Sequence, residues 1–403
     1  MTLTDEPPAL AADERRVAAR VDDLLARFPP QSTDPQVFLG EQFDRGLAWV
    51  HFPDGHGGLG AAPRHQKYVN ERIFGAGGPN PVYANPIGYG MCGPTVVTWG
   101  TDEQKARYLR PLFTGEEVWC QLFSEPGAGS DFAGLASKGV RDGDEWVVNG
   151  QKVWTTLAHV AKWGLLVVRT DAEAVKHAGL TAFVVDMEAP GVEVRPLRQM
   201  TGDAEVNEVY FTDVRIPDAN LLGGPGDGWR VSLTTLMNER VSIGGTIPPR
   251  GTGVIADLVN VWNGLPEGER TAARRDEVVK LWSRAEVLRL TNIRASVARK
   301  LGDPGPEGSI AKAASANLNK DVYACAVNLC GANGMLYGDY AMDRPEHAME
   351  SGSVQHAFLR SRANSIEGGT TEVMYNILGE RVLGLPGDVR VDRDIPWSQV
   401  PRN

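Results

Sequence analysis

With 403 residues, 42% of them apolar and 23% charged, the chain is long enough for two or three domains with sizeable cores, and no run of 18 apolar residues offers a membrane span. A net charge of −10 argues against wrapping nucleic acid, which needs a concentrated basic face. The four cysteines, Cys92, Cys120, Cys325 and Cys330, make no CxxC pair, and the seven histidines make no HExxH or other ligand cluster, so buried reduced thiols and no metal centre are expected.

The opening MTLTDEPPALAADERR is acidic and lacks an apolar signal-peptide core, from which a cytoplasmic location is expected. ADERRVAARVDDLLARF and TDEQKARYLRPLFTG read as helices around the loop-rich FPDGHGGLGAAP, so residues 1–118 are expected to form a helical domain. The period then changes. In GVRDGDEWVVNGQKVWTTL, Asp142-Gly143 and Asn149-Gly150 bracket EWVV, a hairpin signal. WGLLVVRTD, LTAFVVDME, VEVRPL and NEVYFTDVRIP follow as short strands, giving a β domain over residues 119–226. After Gly226 the helical period returns in GWRVSLTTLMNERVSI, DEVVKLWSRAEVLRLTNIRASVARKLG, SIAKAASANLNKDVYACAVNLCG and TTEVMYNILGERVLG, with Gly302 and Pro304 expected to stop the second. Four such segments predict a four-helix bundle with a tail over residues 227–403, and residues 331–352 read as a surface excursion. The fold class expected is α+β, mainly α.

Two stretches carry chemistry. CQLFSEPGAGSD, residues 120–131, brings Gly127, Ala128 and Gly129 where backbone amides can approach a ligand, with Ser124 and Ser130 as hydroxyl donors. NGQKVWTT follows with an indole at Trp154 and hydroxyls at Thr155 and Thr156, able to flank a planar ring. A third, SIEGGTTE, sets Gly368 and Gly369 before a helix, where free N–H groups and the dipole suit a pyrophosphate or a developing enolate oxygen.

SEPGAGSD, NGQKVWTT, FTDVRIP, GGTTE and GERVLGLP, in that order along nearly the whole chain, resemble the acyl-CoA dehydrogenases. The resemblance implies a helical domain, a central β-barrel and a C-terminal bundle. It also implies FAD as cofactor and oxidation of an acyl-CoA thioester to trans-2-enoyl-CoA. Carried over by position, it sets Gln121, Phe123, Ser124, Gly129, Ser130, Trp154, Thr155, Thr156, Thr370, Thr371 and Glu372 at FAD. Ser130, Asn238, Arg240 and Gly369 fall to the substrate, and the Gly368 N–H to the thioester oxygen. Family members have Tyr- or Val-like residues at Gln121 and Phe123, and this chain lacks the Arg-Lys-x-Phe-Gly flavin motif of the medium-chain enzymes, reading PRGTGVIADLVNVWNGLPEGERTAAR instead.

The base has two candidates. Alignment with the medium-chain Glu-Gly-Thr triplet puts Gly368 at the base position and leaves Glu367 one residue early. The isovaleryl-CoA and long-chain branches carry a Glu-Arg pair on the first bundle helix, matched here by Glu239-Arg240. On that helix Glu239 shares a face with Leu236 and Ile243, and the partial burial this implies raises a carboxylate toward the working range of a general base. Glu239 is therefore expected to take the α-proton, with Glu367 as the alternative and a β-hydride passing to the flavin. The resemblance further implies an electron-transferring flavoprotein as acceptor and a homotetramer or a heterotetramer with a related subunit. Rival expectations are a partner subunit with little activity alone, a flavin oxidase or monooxygenase, and a scaffold that binds acyl-CoA without turnover. A base placed away from the medium-chain position hints at a branched or bulky acyl group, such as a steroid side chain.

Overall fold

The computed structural model describes residues 8–244, 247–300, 307–345, 352–389 and 391–401, and gives only the backbone for residues 8–11, 240–244, 299–300 and 307. Helices come first: α1 (Pro8–Arg27), α2 (Pro35–Asp44), α3 (His65–Gly75), the single turn α4 (Pro81–Ala84), α5 (Gly93–Trp99) and α6 (Asp102–Thr114), with a π-helical turn at Gly88–Cys92 leading into α5. Val17, Val21 and Leu24 of α1 recur on one face and are fully buried, in one cluster with Val69 and Ile73 of α3. Thr101 and Gln104 form a capping box at the start of α6. The Gln104 amide also donates to the Ala219 and Leu221 carbonyls, fastening the helices to the sheet.

The strands are β1 (Trp119–Leu122), β2 (Lys138–Asp142), β3 (Glu145–Thr156), β4 (Trp163–Arg169), β5 (Leu180–Asp186), β6 (Val192–Pro196), β7 (Val206–Pro217) and β8 (Leu221–Leu222). They form one sheet in the order β6-β7-β3-β2-β4-β5-β8, with β1 parallel beside β4. No ladder among the described residues joins β6 to β8, so the expected barrel is an open one. The unbroken apolar run of β4 has a simple cause. Leu165 and Val167 face a core shared with the N-terminal helices, and Leu166 and Val168 face the core inside the β domain.

The Asp142-Gly143 turn forms as read, with Gly143 at φ 68°. Asn149-Gly150 does not turn: β3 runs through it, with a register shift against β7 between Val148 and Gly150. The Asn149 amide and the Asp213 backbone N–H exchange hydrogen bonds across the strands at 2.9 Å each. Ser137 stands where a side chain at residue 150 would go, so a bulge and not a reversal uses the glycine.

The C-terminal part holds six described helices where the periodicity gave four: α7 (Gly228–Gly244), α8 (Val254–Gly264), α9 (Ala272–Lys300), α10 (Glu307–Leu329), α11 (Val354–Arg360) and α12 (Thr371–Arg381). α10 is central and packs on the other five. The stop expected at Gly302 and Pro304 lies outside the described residues. Of the excursion, residues 331–345 do not float free: Tyr337 donates to the Thr201 carbonyl, and Ala204 N–H donates to Asp343, docking it on the β domain.

Candidate active site

Backbone and buried charge join the two β-domain motifs. The Val153 N–H donates to the Ser124 carbonyl at 2.9 Å. Fully buried Lys152 reaches from β3 into the glycine-rich stretch, donating to the Phe123 carbonyl at 3.0 Å and the Glu125 carboxylate at 2.8 Å. Glu125 also accepts from the Ala136 and Ser137 N–H groups. Burial pushes the Glu125 carboxyl up, but Lys152 and these donors outweigh it and hold the carboxyl below its usual range.

A second β3 register shift, between Lys152 and Thr155, turns Trp154 outward. Its indole is 64% exposed and its backbone sits at φ 61°, a conformation costly for an aromatic residue and common where a ligand is met. Just beyond, the Leu157 N–H donates to the Glu205 carbonyl, and the Glu205 carboxylate lies 3.6 Å from the Arg360 guanidinium. Arg360 also donates to Glu367 at 2.9 Å, and Asn364 donates to Glu367 at 2.7 Å. Three contacts, Leu157–Glu205, Glu205–Arg360 and Arg360–Glu367, thus join the end of the strand carrying Trp154 to the turn carrying Gly368. Gly368 and Gly369 take φ 64° and 88°, and Thr370 caps α12 by accepting the Val373 N–H.

Helix α7 starts with Gly228 close against the Leu180 backbone, where a Cβ would sit 2.6 Å from it. It is pinned to α5 by Thr95–Thr235, hydroxyls 2.9 Å apart, and by Trp99 to Thr234 at 3.0 Å. Glu239 stands one turn beyond Thr235 and is partly buried. Asn238 donates back to the Thr234 carbonyl of its own helix. The side chains of Arg240 and Ile243 lie outside the described residues.

Of the residues expected at a cofactor, Gln121, Thr155 and Thr371 each keep a buried side-chain oxygen without a partner, groups a polar ligand would satisfy. A Cβ at Gly127 or Gly129 would meet no atom of the chain, so packing gives no reason for these glycines and a close ligand would. Ser130, Gly129, Gly369 and Glu372 are exposed, and Ser124, Thr156 and Gly368 half-buried. These groups lie along β1 and β3, in the glycine-rich stretch and at the start of α12, where a polar ligand could meet them. The Phe123 side chain is 4% exposed and packs 4.9 Å from Phe132, and its carbonyl accepts from Lys152. The sequence reading missed Arg360 and the buried Lys312 of α10, whose partners come from distant segments. Among the described residues no helix is long and apolar enough to cross a membrane, and no cluster of three His, Cys, Asp or Glu could hold a metal ion.

Comparison with known proteins covers the whole site. Family models for the acyl-CoA dehydrogenase N-terminal, middle and C-terminal domains match residues 8–116, 120–214 and 226–383. Acyl-CoA dehydrogenase IpdE1 of Mycobacterium tuberculosis is 36% identical over 352 residues, 86% of each chain. Acyl-CoA dehydrogenase FadE34 of the same organism is 36% identical over 92% of this chain, which spans about half (48%) of that protein. Among solved structures, the Tcur3481-Tcur3483 steroid ACAD is 26% identical with a TM-score of 0.70, covering 96% of this chain and 100% of that one. The ChsE4-ChsE5 complex from Mycobacterium tuberculosis is 27% identical with a TM-score of 0.70 over the same shares.

Proposed function

The chain belongs to the acyl-CoA dehydrogenase family of FAD-dependent oxidoreductases, and on that premise we propose that it converts an acyl-CoA thioester to trans-2-enoyl-CoA with Glu239 as base. FAD, when bound, accepts the electron pair leaving the substrate. The observation that carries the choice of base is the anchoring of Glu367. Arg360 and Asn364 hold that carboxylate by hydrogen bonds at 2.9 and 2.7 Å, and Arg360 also reaches Glu205, so the Glu367 oxygens are tied to groups of the chain itself. Glu239 stands partly buried on a helix held by the Thr95–Thr235 and Trp99–Thr234 bonds, so its direction is set by rigid elements.

In this reading the Gly368 N–H, at the turn opening α12, holds the thioester oxygen and acidifies the α-carbon. Glu239 takes the α-proton and keeps it on its carboxylate. Trp154 and the hydroxyls of Thr155, Thr156 and Thr371 would hold the flavin and keep water from the reacting carbons. The domains are proposed to divide at residues 118 and 226, and an electron-transferring flavoprotein is proposed to reoxidise the enzyme in the cytoplasm.

Relatives described as a steroid enzyme and as two-component complexes favour a bulky acyl group and assembly with a related subunit. Exposed Met237, Leu290, Leu383 and Val389 give assembly into a tetramer an apolar surface to cover. Anaerobic titration of the purified chain with straight, branched and steroid acyl-CoA esters tests this. Bleaching of bound flavin by a bulky ester is expected. A yellow protein that no ester bleaches would reject the dehydrogenase reading, and a colourless one that gains flavin only with a partner subunit would favour the heteromer.

A further inference from the structure

After α12 the chain leaves the helical part. Residues 391–401 cross back to the β domain and lie against the loop that joins β4 to β5. The Trp397 N–H donates to the Ala174 carbonyl and the Ser398 N–H to the Ala172 carbonyl, both at 2.9 Å, and Pro396 bridges antiparallel to Val175. Two buried cations stand at this joint. Lys176, 7% exposed, pairs with Asp392 of the tail and with Asp131 at 2.7 Å. Arg169, 3% exposed, has the Trp397 ring 4.3 Å from its guanidinium and donates to the carbonyls of Ala133, Leu135 and Lys176.

Asp131 follows Ser130 directly, so these contacts act on the far end of the glycine-rich stretch. The near end is fixed by Glu125, which Lys152 and two backbone N–H groups hold and which exchanges backbone hydrogen bonds with Ala128 at 3.0 Å. Between the two ends packing supplies little, since a Cβ at Gly127 or Gly129 would meet no atom of the chain. Backbone with glycine's freedom keeps one conformation only when both ends are held. The far end has the weaker hold of its own: the Asp131 side chain is 63% exposed, and an ion pair open to water contributes little. There the tail adds an aromatic ring over one cation and a second carboxylate on the other.

We propose that the tail is a strap that holds the backbone of residues 127–130 in its ligand-binding conformation, with Lys176 and Trp397 as positioning residues. This rests on the reading of Gly129 and Ser130 as contacts of the flavin and the acyl-CoA. A ligand that needs the loop in one conformation binds more weakly in proportion to the time the loop spends in others. Loosening the strap therefore raises dissociation constants and leaves the chemical step alone.

The test loads wild type, Lys176→Met, Trp397→Ala and Trp397→Phe with FAD. It reads amide hydrogen exchange at residues 127–131, flavin retained on dilution, and kcat and KM for an acyl-CoA ester that bleaches the wild type. Lys176→Met and Trp397→Ala are expected to raise exchange at residues 127–131 about tenfold and to release flavin more readily. Their KM is expected to rise about three- to tenfold, with kcat within about twofold of wild type. Trp397→Phe keeps a ring over Arg169 and is expected to stay close to the wild type in every readout.

Wild-type exchange at residues 127–131 in both Lys176→Met and Trp397→Ala would overturn the strap and leave the loop's ligand assignment standing. So would raised exchange spread evenly over the whole β domain, which marks a weakened fold and no strap. Raised exchange confined to residues 127–131, with flavin retention and KM unmoved, would instead reject Gly129 and Ser130 as ligand contacts while the tail's hold on the loop stands.

Discussion

Lys152 and Lys312 are both buried, and the fold treats them in opposite ways. Lys152, in the β domain, is saturated: a carbonyl and a carboxylate meet its ammonium, and that carboxylate is held in turn by two backbone N–H groups. Lys312, in the helical part, stands among three carboxylates without a bond to any of them. The Lys152 bonding joins two motifs of the β side into a rigid wall, on which the Gln121 and Thr155 side-chain oxygens stay without a partner. The helical side keeps polar groups unsatisfied, Lys312 and the Thr371 hydroxyl among them, and it is there that the chemistry is assigned.

The sharpest way to break this contrast is to remove each amine. Lys152→Met should lose about 3–5 kcal/mol of stability, because it strands the buried Glu125 carboxylate, where Lys312→Met should lose none. Denaturant unfolding of both variants reads the difference directly. The same pair predicts a pH dependence. The Glu125 carboxyl is held below its usual range, so its stabilising contribution is present above 4.5 and lost as pH falls through the depressed value. An acid melting series should show that loss in the wild type and not in Glu125→Gln.

Smaller effects follow. Glu367→Gln takes one of two carboxylates from Arg360 and should cost about 1.5–3 kcal/mol, with activity reduced less than tenfold, as calorimetry and initial rates would show. Gly369→Ala places a Cβ at φ 88° and 2.8 Å from the Met374 methyl, which should cost about 1–2 kcal/mol and weaken flavin retention on gel filtration. Asn149→Ala loosens the β3 bulge far from the helical side and should cost about 1 kcal/mol, with the acid limb of the rate profile unmoved.

What was legible in the sequence was local. Period and turn chemistry gave the strands of the β domain except β1 and β8, and four of the six described C-terminal helices, and the order of motifs gave the family. The Asn149-Gly150 pair misled because its meaning lies across the sheet, in Asp213 and Ser137. Lys312 and Arg360 carried no signal, since a lone lysine or arginine on a helix is ordinarily solvated and the carboxylates that give these two meaning come from separate elements. Helix α8 has a readable pattern: Ile255 and Leu258 are buried at a spacing of three.

The central claim is that a carboxylate on α7, and not the one beside the Gly-Gly turn, takes the proton. Anaerobic stopped-flow of Glu239→Gln and Glu367→Gln, each loaded with FAD and mixed with an acyl-CoA ester that bleaches the wild type, tests it most directly. Glu239→Gln should keep its flavin and bleach about 10²–10⁴-fold more slowly, with Glu367→Gln close to the wild type. Bleaching at the wild-type rate in Glu239→Gln, or its loss in Glu367→Gln alone, would contradict the account.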